Sequence, residues 1–174
     1  MLTLYDCSTA PSPRRTRIFL AEKGIKYECL QVDLAKGEQM KDEFAAINPR
    51  RTVPVLVTED GKSLSENLAI AYYVDQLHPE PPLMGTDPFS RANVLEWNAR
   101  VEFEGLHAIA EILRNTSPHM KNRAMTGRQN IPQIQELAER GRMRIETFWE
   151  DLDNRLQETP FVTGDNFTLA DITA

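Results

Sequence analysis

Ser8, Thr9 and Ser12 place hydroxyls in the loop after an apolar opening run, and Arg14, Arg15 and Arg17 follow them directly. A hydroxyl donates one hydrogen bond and accepts two, so it can cap a helix and still hold a charged ligand atom. The arginines load the N-terminal end of the next helix, where the backbone dipole already carries partial positive charge. Such local conflicts concentrate at functional sites, and an anion bound there would offset this one. For any single arginine, a contact with Glu22, Asp6 or solvent is the commoner arrangement.

Two further groups carry chemistry. In "RRTVPVL" (50–56) the planar forks of Arg50 and Arg51 suit a carboxylate, and Val53-Pro54 opens a strand at a position that needs no amide donor. On base rates a trans bond is expected before Pro54. Ser65-Glu66-Asn67 reads as a capped helix start whose backbone amides are open to a carboxylate.

These residues need elements to hold them. "LTLYD" (2–6) alternates as a short strand, and a helix follows with Ser12 as N-cap, Pro13 in its first turn and Gly24 just past its end. "YECLQVDL" (27–34) reads as the second strand, with Cys29 inside it, and "GEQMKDEFAAIN" (37–48) as a polar helix stopped by Pro49. "VPVLVTEDGKSLSEN" gives strand, Asp60-Gly61 turn and strand. The helix from Ser65 places Leu68, Ile70, Tyr73, Val74 and Leu77 on one face. Residues 1–78 thus form a β-α-β-α-β-β-α domain, 79–88 a linker rich in proline and glycine, and 89–174 an all-helical domain. Thr168 and Asp171 are spaced as a capping box, with Phe167 and Ile172 as a staple, and the helix they open is expected to continue beyond residue 174.

With 174 residues and a net charge of −6, the chain gives no reason to expect a nucleic acid as partner. No apolar run of about 18 residues suggests a membrane span, and no basic, apolar leader opens the sequence, so a cytoplasmic protein is expected. Cys7 and Cys29 make neither a CxxC pair nor a metal-ligand cluster.

Taken in order, "LYDCSTAPSPRRTRIFLAEKGI", "NPRRTVPVL", "LSENLAIAYYVDQLHP" and "GDNFTLADITA" resemble the cytosolic glutathione transferases over nearly the whole chain. The resemblance implies a thioredoxin-like N-terminal domain, an all-helical C-terminal domain, a cis Val53-Pro54 bond and a homodimer. It implies that glutathione is the co-substrate, its cysteinyl part on the Val53 backbone beside Pro54. Its γ-glutamyl end would lie at Glu66 and Asn67, where the family usually has serine at the second position, and its glycyl carboxylate at Arg51 and Thr52. Members activate the thiol with a residue just after the first strand. Ser12 falls where cysteine-bearing bacterial members place their cysteine, while the theta-like and zeta-like serine falls on Ala10, so the candidates are Ser12, then Thr9, then Ser8. The implied function is transfer of glutathione to a small hydrophobic electrophile in detoxification, with Trp97, Phe103, Leu106 and His107 as candidates for its apolar lining or, equally, for the core of the helical bundle. A glutathione-dependent disulfide or peroxide reductase and a non-catalytic interaction module are the alternatives.

Overall fold

The computed structural model describes residues 1–174, which divide into two compact units: Met1–Pro81 with Thr126–Arg128, and Pro82–Met125 with Gln129–Ala174.

In the first unit, β1 (Leu2–Asp6) pairs in parallel with β2 (Tyr27–Gln31), from Leu2 opposite Tyr27 to Asp6 opposite Gln31. Parallel neighbours need a crossover, and α1 (Pro11–Glu22) supplies it. β3 (Val55–Val57) runs antiparallel to β1 and β4 (Ser63–Ser65) antiparallel to β3, giving the order β2-β1-β3-β4. The Asp60-Gly61 turn joins β3 to β4, Gly61 taking the positive φ that its lack of a Cβ permits. α3 (Asn67–Leu77) then packs on α1. Side chains alternate across the sheet. Tyr5, Val53, Val55 and Val57 pack with Val32 and with Phe44 of α2 (Asp42–Ile47), whereas Leu4 and Leu56, one place along, are buried on the opposite face.

α1 begins earlier than its sequence suggests: Ala10, not Ser12, is the N-cap, with no side-chain cap, and Pro11 opens the helix. The sequence holds two prolines that each fit a first turn, and the helix takes both. Its end follows the expectation, since Gly24 at φ 64 donates to Ala21 O and Ile25 donates to Leu20 O, each at 2.9 Å.

β2 stops at Gln31 because Asp33 folds the chain back, its carboxylate accepting from the amides of Ala35 and Lys36 at 3.0 Å. The single helix expected over 37–48 is two pieces, a 3-10 turn at Glu38–Met40 and α2, separated by Lys41 in extended geometry. Glu38 is held by the Asp33 amide at 2.7 Å, and Asp42 and Glu43 make a new dipole-compatible start. Ser65 belongs to β4, opposite Val55, so α3 starts at Asn67.

The second unit is helical, with α4 (Pro88–Arg100), a π-helical segment (Val101–Leu106), α5 (His107–Thr116), α6 (Gln135–Glu158) and α7 (Leu169–Thr173). Asp87 with Ser90 and Thr168 with Asp171 form capping boxes. Within 79–88, Leu83 and Met84 are buried, and the Leu169 amide donates to Leu83 O at 2.9 Å.

Val101, Ala108, Ile145 and Phe148 form a core where the π-helical segment and α5 meet α6, and Gly141 lets α6 lie close against α5. A Cβ at position 141 would lie 2.7 Å from the backbone oxygen of Ala108. Backbone cannot yield as a flexible side chain can, so Gly141→Ala is expected to cost about 1–3 kcal/mol, read as a lower urea midpoint at an unchanged m-value.

Candidate functional site

The hydroxyl loop connects β1 to α1. Pro11 and Pro13 have no N–H, so Ser12 supplies the backbone donor of that first turn as well as a hydroxyl. With Ala10 as cap, the Ser12 hydroxyl is not used on the helix, and the Arg15 guanidinium lies within 3.5 Å of its Oγ as donor. Ser12 is half-buried, while Ser8 and Thr9 are exposed, Thr9 Oγ1 sitting 3.4 Å from Cys7 Sγ. The arginines have separate tasks: Arg14 is exposed, Arg15 faces Ser12, and Arg17 pairs with buried Asp6. Tyr27, beside this group, is pushed above the ordinary tyrosine value, chiefly by burial and then by Cys29 and Asp6. It therefore stays protonated at neutral pH.

The turn before β3 is built by Asn48, which is buried and donates to Thr52 O at 2.9 Å and Thr52 Oγ1 at 3.1 Å. Arg51 sits at φ 58, its guanidinium donating to Met40 O and lying 3.4 Å from the carboxylate of Asp42. The Val53-Pro54 peptide is cis.

Glu66, at φ 78, turns the chain from β4 into α3 and faces Arg50 at 3.5 Å. Arg51 and Glu66 are the non-glycine residues at positive φ, one in the turn before Pro54 and the other at the start of α3, and each carries backbone strain of the kind found at ligand-clamping sites. Asn67 is buried and its Oδ1 accepts from Thr16 Oγ1 at 2.7 Å, tying α3 to α1.

Sequence reasoning did not find these supports. Thr16 interrupts the apolar stripe of Phe19 and Leu20, and a polar residue on a core face is the one signal that could have flagged it.

In the second unit, the guanidinium groups of Arg100 and Arg155 lie over the Trp97 ring, 4.5 and 5.5 Å from its centroid. Phe103 is exposed and stacks on His107 at 5.4 Å, with Leu106 half-buried in the π-helical segment. No group of three or more His, Cys, Asp or Glu is placed to hold a metal ion, and no helix is long and apolar enough to cross a membrane.

A family model described as glutathione S-transferase, N-terminal domain, matches residues 1–76. Glutathione S-transferase 2 of Saccharomyces cerevisiae is 34% identical over 174 residues, which is 99% of this chain and 72% of that protein. The chain belongs to the glutathione S-transferase family. A crystal structure of a glutathione S-transferase domain-containing protein from Marinobacter aquaeolei superposes with a TM-score of 0.89 at 32% identity, covering 99% of this chain and 82% of that one. A homologue from sulfitobacter, solved with bound glutathione, gives 0.80 at 25%, covering 99% and 78%. The fold is accordingly thioredoxin-like in its N-terminal part and helical in its C-terminal part, and glutathione is the co-substrate of this transferase family.

Proposed function

We propose that the first unit binds glutathione at the loop of residues 8–12, the Val53-Pro54 turn and the start of α3, and that Ser12 holds the thiol as a thiolate for attack on a small hydrophobic electrophile. The observation that carries this reading is the Pro-Ser-Pro start of α1. It leaves Ser12 with an uncommitted backbone N–H and a hydroxyl proton, while the Arg15 guanidinium lies 3.5 Å from the oxygen as a donor. A hydroxyl whose oxygen accepts from a cation is a stronger donor, and the helix end adds its own positive potential.

The Val53 backbone, beside Pro54, pairs with the cysteinyl amide. The carboxylate of Glu66 suits the γ-glutamyl ammonium, and Asn67, with its oxygen committed to Thr16, has its NH2 left to donate to the γ-glutamyl carboxylate. Arg51 and Thr52 serve the glycyl carboxylate. The carboxylate of Asp42, fully exposed beside Arg51, is the partner that the glycyl group displaces. Thr9 and Ser8 stand behind Ser12 as alternative donors. The enzyme then works as a cytoplasmic homodimer in detoxification.

Glutathione at a hundred times its Kd would stabilise the native state by about 2.7 kcal/mol, an increase visible in thermal melts. Together with that shift, turnover of chlorodinitrobenzene is expected. Stabilisation with disulfide reduction and no turnover of electrophiles would make the protein a reductase, and no response to glutathione would make it an interaction module.

A further inference from the structure

Asp6 closes β1 with its carboxylate almost wholly buried, at 2% exposure. A buried charge must be paired, and three side chains donate to Asp6: the guanidinium of Arg17, the Nε2 of Gln31 at 2.6 Å and the Cys29 thiol at 3.7 Å, of which Arg17 and Gln31 also reach the loop. Arg17 also donates to Cys7 O at 3.4 Å and to Ser8 O at 3.2 Å, and the Oε1 of Gln31 accepts from the Ser8 amide at 2.9 Å. The Cys7 oxygen additionally receives the Ala10 amide at 3.0 Å. The backbone between β1 and α1 is thus fastened from behind at Cys7 O, Ser8 N and Ser8 O, by side chains that one carboxylate holds in place.

We propose that Asp6, Arg17 and Gln31 are positioning residues of the transfer reaction: they fix the course of residues 7–9 and so set where the Ser12 hydroxyl meets the glutathione sulfur. This rests on the reading that a loop hydroxyl activates the thiol. Stability alone does not account for the arrangement, because a buried ion pair is rarely more stabilising than apolar residues of the same volume. What an apolar pair cannot do is present a guanidinium fork and an amide to loop backbone groups. Arg17 thus departs from the general cationic role expected of the arginine cluster, since Asp6 neutralises it and its contribution is geometric.

Gln31→Met is the informative variant, since Gln31 lies on exposed edge strand β2 and its loss leaves the Asp6–Arg17 pair intact. With glutathione and chlorodinitrobenzene, kcat is expected to fall about fivefold while KM for glutathione stays within about twofold, as for a misplaced reacting group rather than a lost binding contact. In the ligand-free protein, hydrogen exchange at the Ser8 amide should accelerate. Arg17→Met should lower kcat further, and Arg17→Lys should recover part of that loss, because an ammonium keeps the charge on Asp6 without spanning both carbonyls. If Arg17→Met fails to fold, Gln31→Met and Arg17→Lys carry the test. Wild-type kcat in both would overturn the proposal even where Ser12→Ala is impaired, leaving the hydroxyl reading in place. If Ser8, Thr9 and Ser12 can each be replaced by alanine without loss while Gln31→Met still lowers kcat and speeds Ser8 exchange, the loop is positioned as proposed and the hydroxyl reading is wrong.

Discussion

Alanine at Ser12 is expected to move the acid limb of the kcat/KM profile for chlorodinitrobenzene upward by about 1–2 pH units. A free thiol has a pKa near 8.5 and is only a few per cent ionised at neutral pH. A hydrogen bond to a charged atom is worth about 1.5–3 kcal/mol, and a helix N-terminus about 0.3–1 kcal/mol. At about 1.36 kcal/mol per unit, the two together would lower the bound thiol's pKa by roughly 1.5–3 units under the proposed arrangement. Ser12→Ala removes the hydroxyl's share and leaves the helix. The thiolate fraction, and with it the rate, should fall roughly 10- to 100-fold where both enzymes are mostly protonated. Above the variant's higher pKa the two should converge. A loss that persists undiminished at alkaline pH would instead indicate a damaged site, and an unchanged profile would transfer the role to Thr9 or Ser8.

The largest effect on stability is expected at Lys23. This residue ends α1 with its ammonium inaccessible to solvent, donating to Asp75 at 2.6 Å, to His78 O at 2.8 Å and to Pro79 O and Pro81 O, above the ring of Phe19. It thereby holds both the C-terminal end of α3 and the segment that follows it. Lys23→Met keeps the stem's bulk but leaves the Asp75 carboxylate buried without its cation and the carbonyls without their donor. Removing one member of a buried pair costs about 3–5 kcal/mol, a large part of the 5–15 kcal/mol typical of a domain. Urea unfolding at neutral pH should show the loss as a lower midpoint. The double variant Lys23→Met with Asp75→Leu should be more stable than Lys23→Met alone, because it removes the orphaned charge. Equal stability of the single variant and the wild type would mean that the ammonium contributes nothing.

Both predictions concern residues whose surroundings were unevenly legible in the sequence. Short-range signals translated directly: the alternation of 2–6 into β1, Asp60-Gly61 into the hairpin, Gly24 into the end of α1, and Thr168 with Asp171 into a capping box. Where two local solutions were equally good, the sequence could not choose between them. Pro11 and Pro13 both suit a first turn, and that ambiguity misplaced the cap at Ser12. Ser65 is as good a cap as it is a strand end, and pairing with Val55, decided by the sheet, made it the latter. The break at Lys41 has a similar origin, because Glu38 reaches back to Asp33 rather than continuing a helix.

The hydroxyls and the arginines of the candidate site could be read off the chain, but the residues that hold them could not. Asp6 meets Gln31 across 25 positions, Thr16 meets Asn67 across 51 and Lys23 meets Asp75 across 52. Each is a polar contact completed only when β1, β2, α1 and α3 are assembled, and in one sequence each partner looks like an ordinary surface or cap residue. For the same reason the positive charge after the loop forms one undivided cluster in the sequence. Folding assigns Arg17 to Asp6 and Arg15 to Ser12, which are different neighbours with different consequences.

A crystal structure of the protein with glutathione tests the central claim most directly. The account predicts the tripeptide sulfur within about 3.5 Å of Ser12 Oγ, in hydrogen-bond geometry. A sulfur beyond the reach of the Ser8, Thr9 and Ser12 side chains, with the tripeptide bound, would contradict it.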